Sequence, residues 1–372
     1  MAKLGDIATY INGYAFKPQD WSDEGIPIIR IQDLTGNSYQ ANRYNGEYAP
    51  KYEVNDGDVL ISWSASLGVY VWHGEKAVLN QHIFKVVFDK ERISKDFFVH
   101  QVGLILENAA SDAHGATMKH LTKPVFDALP FYLPPYEKQC EIAEVLDKVT
   151  SLISLRKQQL AKLDELVKAR FVEMFGDPIN NPMNYPKSQL GKVCDVRDGT
   201  HDSPEYYDVG YPLVTSKNVT GGKIDLSECN LISEDDYKKI CERSKVDRGD
   251  IIMPMIGTVG KPVIVNTEPM FAIKNVALIK FTPDSLVTNI YIKTLLESDY
   301  FDRAVLDKIR GGTQKFIALG DIRKLEIILP DLKHQQCFSA FVERVEQQKQ
   351  TVQQSLEKLE LMKKALMQEY FG

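Results

Sequence analysis

The sequence is poor in the features that mark a secreted protein, a membrane protein or a self-sufficient enzyme. Its five cysteines, Cys140, Cys194, Cys229, Cys241 and Cys337, are widely spaced and form no C-x-x-C pair. That argues against a disulfide framework and a zinc site, and it fits a reduced cytoplasm. No apolar run approaches the roughly 18 residues of a membrane span, and the opening "MAKLGDIATYING" lacks a signal-peptide core. Neither export nor a membrane partner is expected. No G-x-x-x-x-G-K-[ST] loop for a nucleoside triphosphate occurs. His73, His82, His100, His114, His120, His201 and His334 include no H-E-x-x-H spacing. Gly5, Gly13 and Gly115 stand isolated, so no Gly-rich fingerprint for a nucleoside cofactor is present. Positive charge is not in surplus either, since 45 Lys and Arg against 51 Asp and Glu leave a net charge of −6. Residues 1–135 carry −4, residues 136–186 and 187–330 carry −1 each, and residues 331–372 are neutral. Phosphate attraction from this chain alone should be modest.

What the 372 residues do contain is themselves, twice. "LPPYEKQ" at 133–139 is echoed by "LPDLKHQ" at 329–335, a shift of 196 residues. The same shift carries "GATMKHL" at 115–121 onto "GGTQKFI" at 311–317, and "MFGDP" at 174–178 onto the terminal "YFG". Earlier, "LGDIATYINGYAF" answers "LGKVCDVRDGTHD", "IPIIRIQDLTGN" answers "YPLVTSKNVTGG", and "VNDGDVLIS" answers "VDRGDIIMP". The shift drifts upward from about 185 to 196 along the chain, which places the insertions in the globular parts. Six segments agreeing in order identify a tandem duplication.

Each half has two textures. "DGDVLISWSASLGVYVW" and "RGDIIMPMIGTVGKPVIV" are β-branched runs broken by Gly and Pro, as short strands and turns should be. Behind each Leu-Pro motif the pattern becomes helical. Apolar residues fall at Ile142, Leu146, Val149, Ile153, Leu160, Leu163, Val167 and Met174 in the first copy. In the second they fall at Phe338, Val342, Val345, Val352, Leu356, Leu359, Met362 and Leu366. Such sustained a/d spacing predicts a coiled-coil seam, with helices of about 58 Å. Arg156 and Lys349 interrupt the stripes, as register-fixing polar residues do. Chain order makes the pair antiparallel. The alternative is that each helix packs back on its own domain. The expected class is therefore α+β: two globular α+β domains in tandem pseudo-repeat, separated by two long antiparallel coiled-coil helices. The predicted boundaries are 1–135 for the first domain, 136–176 for the first helix, 177–187 for a linker, 188–330 for the second domain and 331–372 for the second helix.

Pro-Pro-Tyr invites comparison with the catalytic tetrapeptide of adenine methyltransferases, which begins with Asn or Asp. Here the first position is Leu133, which cannot accept hydrogen bonds from an amine, and the second copy reads "LPDL". The duplication preserves Leu-Pro and the following Gln139 and Gln335, so the motif marks where a domain ends and a helix starts. Those glutamines are expected to bond backbone groups there or to face a docking partner. "DGTHDS" at 198–203 has the residue types of a hydrolase, but it also reads as a turn whose Asp, Thr and Ser cap local backbone.

The strand-rich domains have diverged while the helices have kept length and phase, which suits two unlike readers on a shared frame. "LPPYEKQCEIAEVLDKVTSLIS", "LPDLKHQQCFSAFVERVEQQ", "GYAFKPQDWSDEGIPIIRIQDLTG", "DGTHDSPEYYDVGYPLVTSKNV", "GDVLIS" and "GDIIMP" together give a whole-chain resemblance. The chain resembles the specificity (S) subunit of type I DNA restriction–modification systems. That resemblance implies a non-catalytic, cytoplasmic subunit whose target recognition domains each read one half of a split site in double-stranded DNA, with the helices setting the gap. It implies two modification subunits as partners, which bind S-adenosylmethionine and methylate adenine. It also implies restriction/translocase subunits that use ATP and Mg. No cofactor is expected on this chain itself, and the outer helix faces are the expected docking surface. A bivalent protein–protein adaptor of the same architecture is the alternative, and an enzyme acting alone would have to bind a cofactor.

Side chains match base edges by type, Arg to guanine and Asn or Gln to adenine. Polar residues in loops after strands are therefore the candidate DNA-binding positions. In the first domain these are Arg30, Gln32, Asn80, Gln81, His82, Lys119 and His120. In the second they are Thr215, Lys217, Asn218, Lys274, Asn275, Gln314 and Lys315. They come from matched places, "IRIQD" with "TSKNV", "NQH" with "KN" and "TMKH" with "TQKF". Taken singly, each is equally a solvated loop residue.

Overall fold

The computed structural model describes residues 1–36, 42–112, 121–256, 261–305 and 316–372. It forms two units, one comprising Met1–Lys157 with Gln354–Gly372 and the other Gln158–Gln353.

In the first unit an antiparallel sheet runs in the order Thr9–Asn12, Ile83–Val87, Val59–Ser62, Gly68–Val71. Its central strands are apolar on both faces, and the period of two sorts their side chains. Val59, Ile61, Phe84 and Val86 join a core with Phe97, Phe98 and Phe131. Leu60 and Ile83 join Ile29, Val54, Ala77 and Leu79 on the other side. That second layer is a sheet in which Ile26–Ile29 runs parallel to Ala77–Leu79.

The second unit repeats the plan. Asp195–Asp198, Val276–Lys280, Ile251–Pro254 and Val263–Ile264 form the antiparallel sheet. Ile251, Met253, Ala277 and Ile279 face one core, and Ile252, Val276 and Leu278 face the other. Tyr211–Val214 runs parallel to Ala272–Ile273. An extra helix, Glu234–Ser244, lies between the matched segments where the repeat shift grows, which accounts for part of the drift. Ser233 caps it by accepting from the Asp236 amide at 3.1 Å, and Glu234, Asp235 and Asp236 crowd its positive end.

The long helices span Tyr136–Phe175 and Leu332–Phe371, 40 residues each. Within the first unit Ile142, Ala143 and Leu146 share a core with Leu366, Met367, Tyr370 and Phe371. Further along, Arg156 Nε donates to Ser355 Oγ at 3.2 Å, and Lys157 meets Glu360 at 3.1 Å. Within the second unit Lys349 bridges Asp164 at 2.7 Å, Arg170 lies over Phe341, and Phe171 and Phe175 pack on Phe338. In each unit, later residues of one helix meet earlier residues of the other, which is the antiparallel sense. The two packing alternatives turn out not to exclude each other. Ile142 and Leu146 bury in the domain core beside Phe97 and Phe131 as well as against the other helix. Met362 departs from the expected stripe: it is 51% exposed, while its neighbours Leu366 and Met367 take the inward positions. Among the described residues no helix is long and apolar enough to cross a membrane.

Each long helix is tied to its domain by the glutamine that the repeat preserves. Gln139 is 1% exposed; its Oε1 accepts from the Ser94 amide at 2.9 Å and its Nε2 donates to the Pro134 carbonyl at 2.9 Å. Gln335 is fully buried; it accepts from the Thr288 amide at 2.9 Å and donates to the carbonyls of Pro330 at 2.8 Å and Leu286 at 3.1 Å. Ser94 and Thr288 immediately precede the helices Lys95–Asp112 and Asn289–Leu296. The carboxamide thus joins two helix starts, satisfying backbone groups that neither helix can satisfy itself. Of the two roles expected for these glutamines, bonding to backbone is the one found. Gln139→Leu and Gln335→Leu each strand a buried N–H and C=O and should cost about 2–4 kcal/mol. Denaturant unfolding of the variants checks this, and a change below about 0.5 kcal/mol would contradict it.

Candidate nucleic-acid interface

In both units the parallel strand pair ends in a knot of backbone hydrogen bonds that gathers distant segments. In the first unit Gly13 N donates to Ile83 O at 3.1 Å, Tyr14 N to Leu79 O at 2.8 Å and Gln81 N to Tyr14 O at 2.8 Å. Asn80 N donates to Ile29 O at 3.1 Å. In the second unit Gly199 N donates to Val276 O at 3.0 Å, Thr200 N to Ile273 O at 3.0 Å, Asn275 N to Thr200 O at 3.2 Å and Lys274 N to Val214 O at 2.9 Å. The glycines are required by proximity: a Cβ on Gly13 would lie 1.9 Å from Asn80 O, and one on Gly199 would lie 2.4 Å from Ile273 O. His82 and Asn275, each just before the next strand, take left-handed φ angles of 71° and 55°.

The same frame displays different side chains. Tyr14 stands where the second unit has Thr200, Asn80 where it has Lys274, and Arg30 where it has Thr215. The Arg30 turn closes when the Asp33 carboxylate accepts from Arg30 N at 2.8 Å; the Thr215 turn closes when Asn218 Oδ1 accepts from Thr215 N at 2.9 Å. Backbone bonds also bring the following segments close. Leu121 N donates to Trp63 O at 3.1 Å, and Ile317 N donates to Met255 O at 2.9 Å. Trp63 in turn packs its ring on His82 and donates from Nε1 to Asn12 Oδ1 at 3.2 Å.

The candidate positions sort as follows. Arg30, Asn80, Gln81 and His82 converge on the first knot, and Gln32 lies in the adjoining one-turn helix Ile31–Leu34, half-buried. Thr215, Lys274 and Asn275 converge on the second, with Lys217 exposed on its short 3-10 turn Ser216–Asn218. Lys119, His120, Gln314 and Lys315 lie outside the described residues. Arg30 is restrained. Asn42 is 92% removed from solvent, and in the amide orientation that its neighbours require its oxygen accepts from both terminal nitrogens of Arg30, at 2.7 and 2.8 Å. The guanidinium also lies 5.3 Å from the Trp21 ring centroid. The fork that would grip guanine is thus already engaged. Asn218 is similarly spent on its own turn, where Oδ1 also accepts from Thr215 Oγ1.

Several residues were not singled out from the sequence. Tyr14, Trp21 and Phe316 present 47%, 42% and 52% of their surface to solvent at these loops. A large exposed aromatic beside a tight glycine is the signal that marks Tyr14. His201 is the other omission. Its Nε2 lies 2.8 Å from Asp198 Oδ2 and its Nδ1 lies 2.8 Å from Asn275 Oδ1. Arg243 pairs with the second oxygen of Asp198, and Lys274 Nζ donates to Ser203 Oγ at 2.7 Å. Bonds to Asn275 and Asp198 raise the His201 pKa above its ordinary value. Burial pushes the Asp198 carboxyl up, but the bond with His201 and the Arg243 guanidinium outweigh it and leave the group below the usual carboxylate range. The ring nitrogens face a carboxylate and an amide oxygen rather than a hydroxyl, so the hydrolase reading of "DGTHDS" lacks its Ser–His pairing. Thr200 Oγ1 does cap the Asp202 amide at 3.1 Å, as a turn residue should.

The knots generate a stability prediction. Gly13→Ala and Gly199→Ala should each cost about 2–4 kcal/mol, because backbone must move to admit the methyl group. Gly103→Ala, in the helix Lys95–Asp112 with only Val69 at 3.6 Å, should be neutral or up to about 1 kcal/mol stabilising. Equal effects in denaturant unfolding at all three positions would contradict the crowding argument.

Comparison with known proteins agrees with this duplicated architecture. The family model for the type I restriction modification DNA specificity domain matches residues 1–165 and again 182–361. The chain is 24% identical to the type I restriction enzyme EcoBI specificity subunit of Escherichia coli, over 92% of this chain and 78% of that protein. It is 23% identical to the MjaVIII specificity subunit of Methanocaldococcus jannaschii, over 99% and 90% respectively. Its fold is similar to that of the type I restriction–modification S subunit from M. genitalium, with a TM-score of 0.58 at 13% identity, covering 100% of this chain and 95% of that one. A chain from a structural study of complex assembly and conformational transition of the type I R-M system gives a TM-score of 0.57 at 16% identity, covering 100% and 96%. The chain belongs to the family of type I restriction modification DNA specificity domains, in two tandem copies.

Proposed function

We propose that this chain is the DNA-reading and spacing subunit of a type I restriction–modification complex, each domain reading one half of an asymmetric bipartite site. The family is non-catalytic, with catalysis on partner subunits. The observation that carries the finer reading is the pair of matched backbone knots bearing unlike side chains. A shared frame with exchanged polar groups is what two readers of different base sequences require. The reading domains would be residues 1–135 and 188–330, joined by helices at 136–176 and 331–372 with a linker at 177–187. The helices would hold the gap and dock two modification subunits that carry S-adenosylmethionine, and restriction subunits with ATP and Mg would join in the cytoplasm.

Within the first domain Gln32, Asn80 and Gln81 are the favoured base readers, because Arg30 is held by Asn42 and Trp21. Asn80 Oδ1 is buried without a hydrogen-bond partner, so that atom itself is not presented to a base. Within the second domain Lys217, Lys274 and Asn275 are favoured over Asn218. Lys119, His120, Gln314 and Lys315 remain candidates on sequence grounds. The net charge of −6 favours a second reading, a protein–protein adaptor, unless partner subunits supply much of the grip on phosphate.

Selection of random duplexes by the chain, alone and assembled with its modification subunits, separates the two. The assembled complex should enrich two unlike blocks separated by an unread gap, and the chain alone should bind weakly. Gln32→Ala should relax one block and Lys217→Ala the other, by about 1–3 kcal/mol per lost base contact. Relaxation of both blocks by either change would refute the two-reader model, and no enrichment by the complex would favour the adaptor.

A further inference from the structure

The ring of His201 is held between two oxygens, Asp198 Oδ2 and Asn275 Oδ1, each 2.8 Å away. Two acceptors at hydrogen-bond distance from both ring nitrogens need two N–H donors, which only the imidazolium supplies. In that state the Asn275 amide is turned with its oxygen inward on the histidine. Its Nδ2 makes no hydrogen bond among the described residues, so the group presents a donor. If His201 loses a proton while keeping Nε2–H on Asp198, Nδ1 becomes an acceptor. The stable arrangement then has the amide reversed, Nδ2 inward and Oδ1 outward.

We infer that His201 is a positioning residue that sets the hydrogen-bond polarity of Asn275, so that the second domain reads an acceptor-bearing base edge, such as guanine O6/N7 or thymine O4, in a proton-linked manner. This rests on the reading of Asn275 as a base contact. The charged groups around the ring are consistent with the inference. Asp198 faces it from the strand Asp195–Asp198, and Arg243 reaches the same carboxylate from the helix Glu234–Ser244. Asp202 is adjacent in sequence, and Lys274 turns its ammonium to Ser203. The raised His201 pKa agrees with the geometry. At the matching place in the first unit the chain has Ala15 after Gly13 and Tyr14, so the linkage belongs to one half-site only.

The sign follows from linkage. A base acceptor on Asn275 Nδ2 favours the protonated state, so affinity is full below the His201 pKa and falls as pH rises through it, by up to about tenfold per pH unit for one proton. In the free chain, nitrogen-detected NMR of labelled histidine should find His201 doubly protonated and titrating above the ordinary imidazole range. Asn275→Ala and Asp198→Asn should each lower that pKa. Asn275→Asp supplies an oxygen to the ring without the amide donor; it should raise the His201 pKa yet abolish selectivity for one base of the second block. For the assembled complex on its selected duplex, the pH dependence should vanish in His201→Gln, and discrimination in the first block should be unchanged. A His201 pKa unaffected by Asn275→Ala, or sequence-specific binding with the same pH dependence in wild type and His201→Gln, would overturn the inference. Absence of sequence-specific binding by the complex at every pH would instead overturn the DNA reading itself.

Discussion

A buried carboxamide at the root of each long helix holds the globular domain to that helix. Gln139 and Gln335 each bond the amide that opens one helix and the proline carbonyl that precedes another. A side chain with one donor group and one acceptor group is the smallest unit that can do this, and neither Glu nor Leu replaces it without stranding a buried polar atom. The interaction explains why the duplication retained Leu-Pro and Gln while Pro-Tyr became Asp-Leu. Loop side chains can change freely so long as the angle and depth at which each helix leaves its domain stay fixed.

The seam between the helices works on the same principle of a few fixed points in a permissive surround. Val345, Val352 and Leu356 are buried, while Arg156 and Lys349 keep polar partners on the opposing helix at Ser355 and Asp164. Lys349 is pulled two ways. Burial acts to lower its pKa, but bonds to Asp164 and Glu346 outweigh this and leave it raised, so the group stays charged on the seam. A charge with a designated partner discriminates between helix registers better than an apolar contact does, at some cost in stability.

The duplication, both long helices and the strand-rich character of the domains were legible in the sequence, because they rest on local period and punctuation. The knots were not. Gly13 reads as an isolated glycine until the chain returns at Asn80 and leaves no room for a Cβ. Arg30 reads as a guanine grip until Asn42, just ahead of the strand Arg43–Tyr44, fills its fork. His201 reads as one member of a polar turn until Asn275 arrives from a distant loop. In each case the missing information is a non-local contact, and the parallel pairing of Ile26–Ile29 with Ala77–Leu79 is the clearest of these. Met362 shows the opposite limit: heptad counting carried the stripe past the point where the domain core takes over the packing.

Two equivalent frames with unlike side chains make the central claim one about DNA sequence. The most direct measurement is a genome-wide map of methylated adenines in cells carrying this chain with its modification subunits, compared with cells lacking the chain alone. Methylation confined to a bipartite motif, with two different specified halves and an unread gap of constant length, is the predicted result. A continuous or symmetric motif, or a pattern unchanged when this chain is removed, would contradict the account.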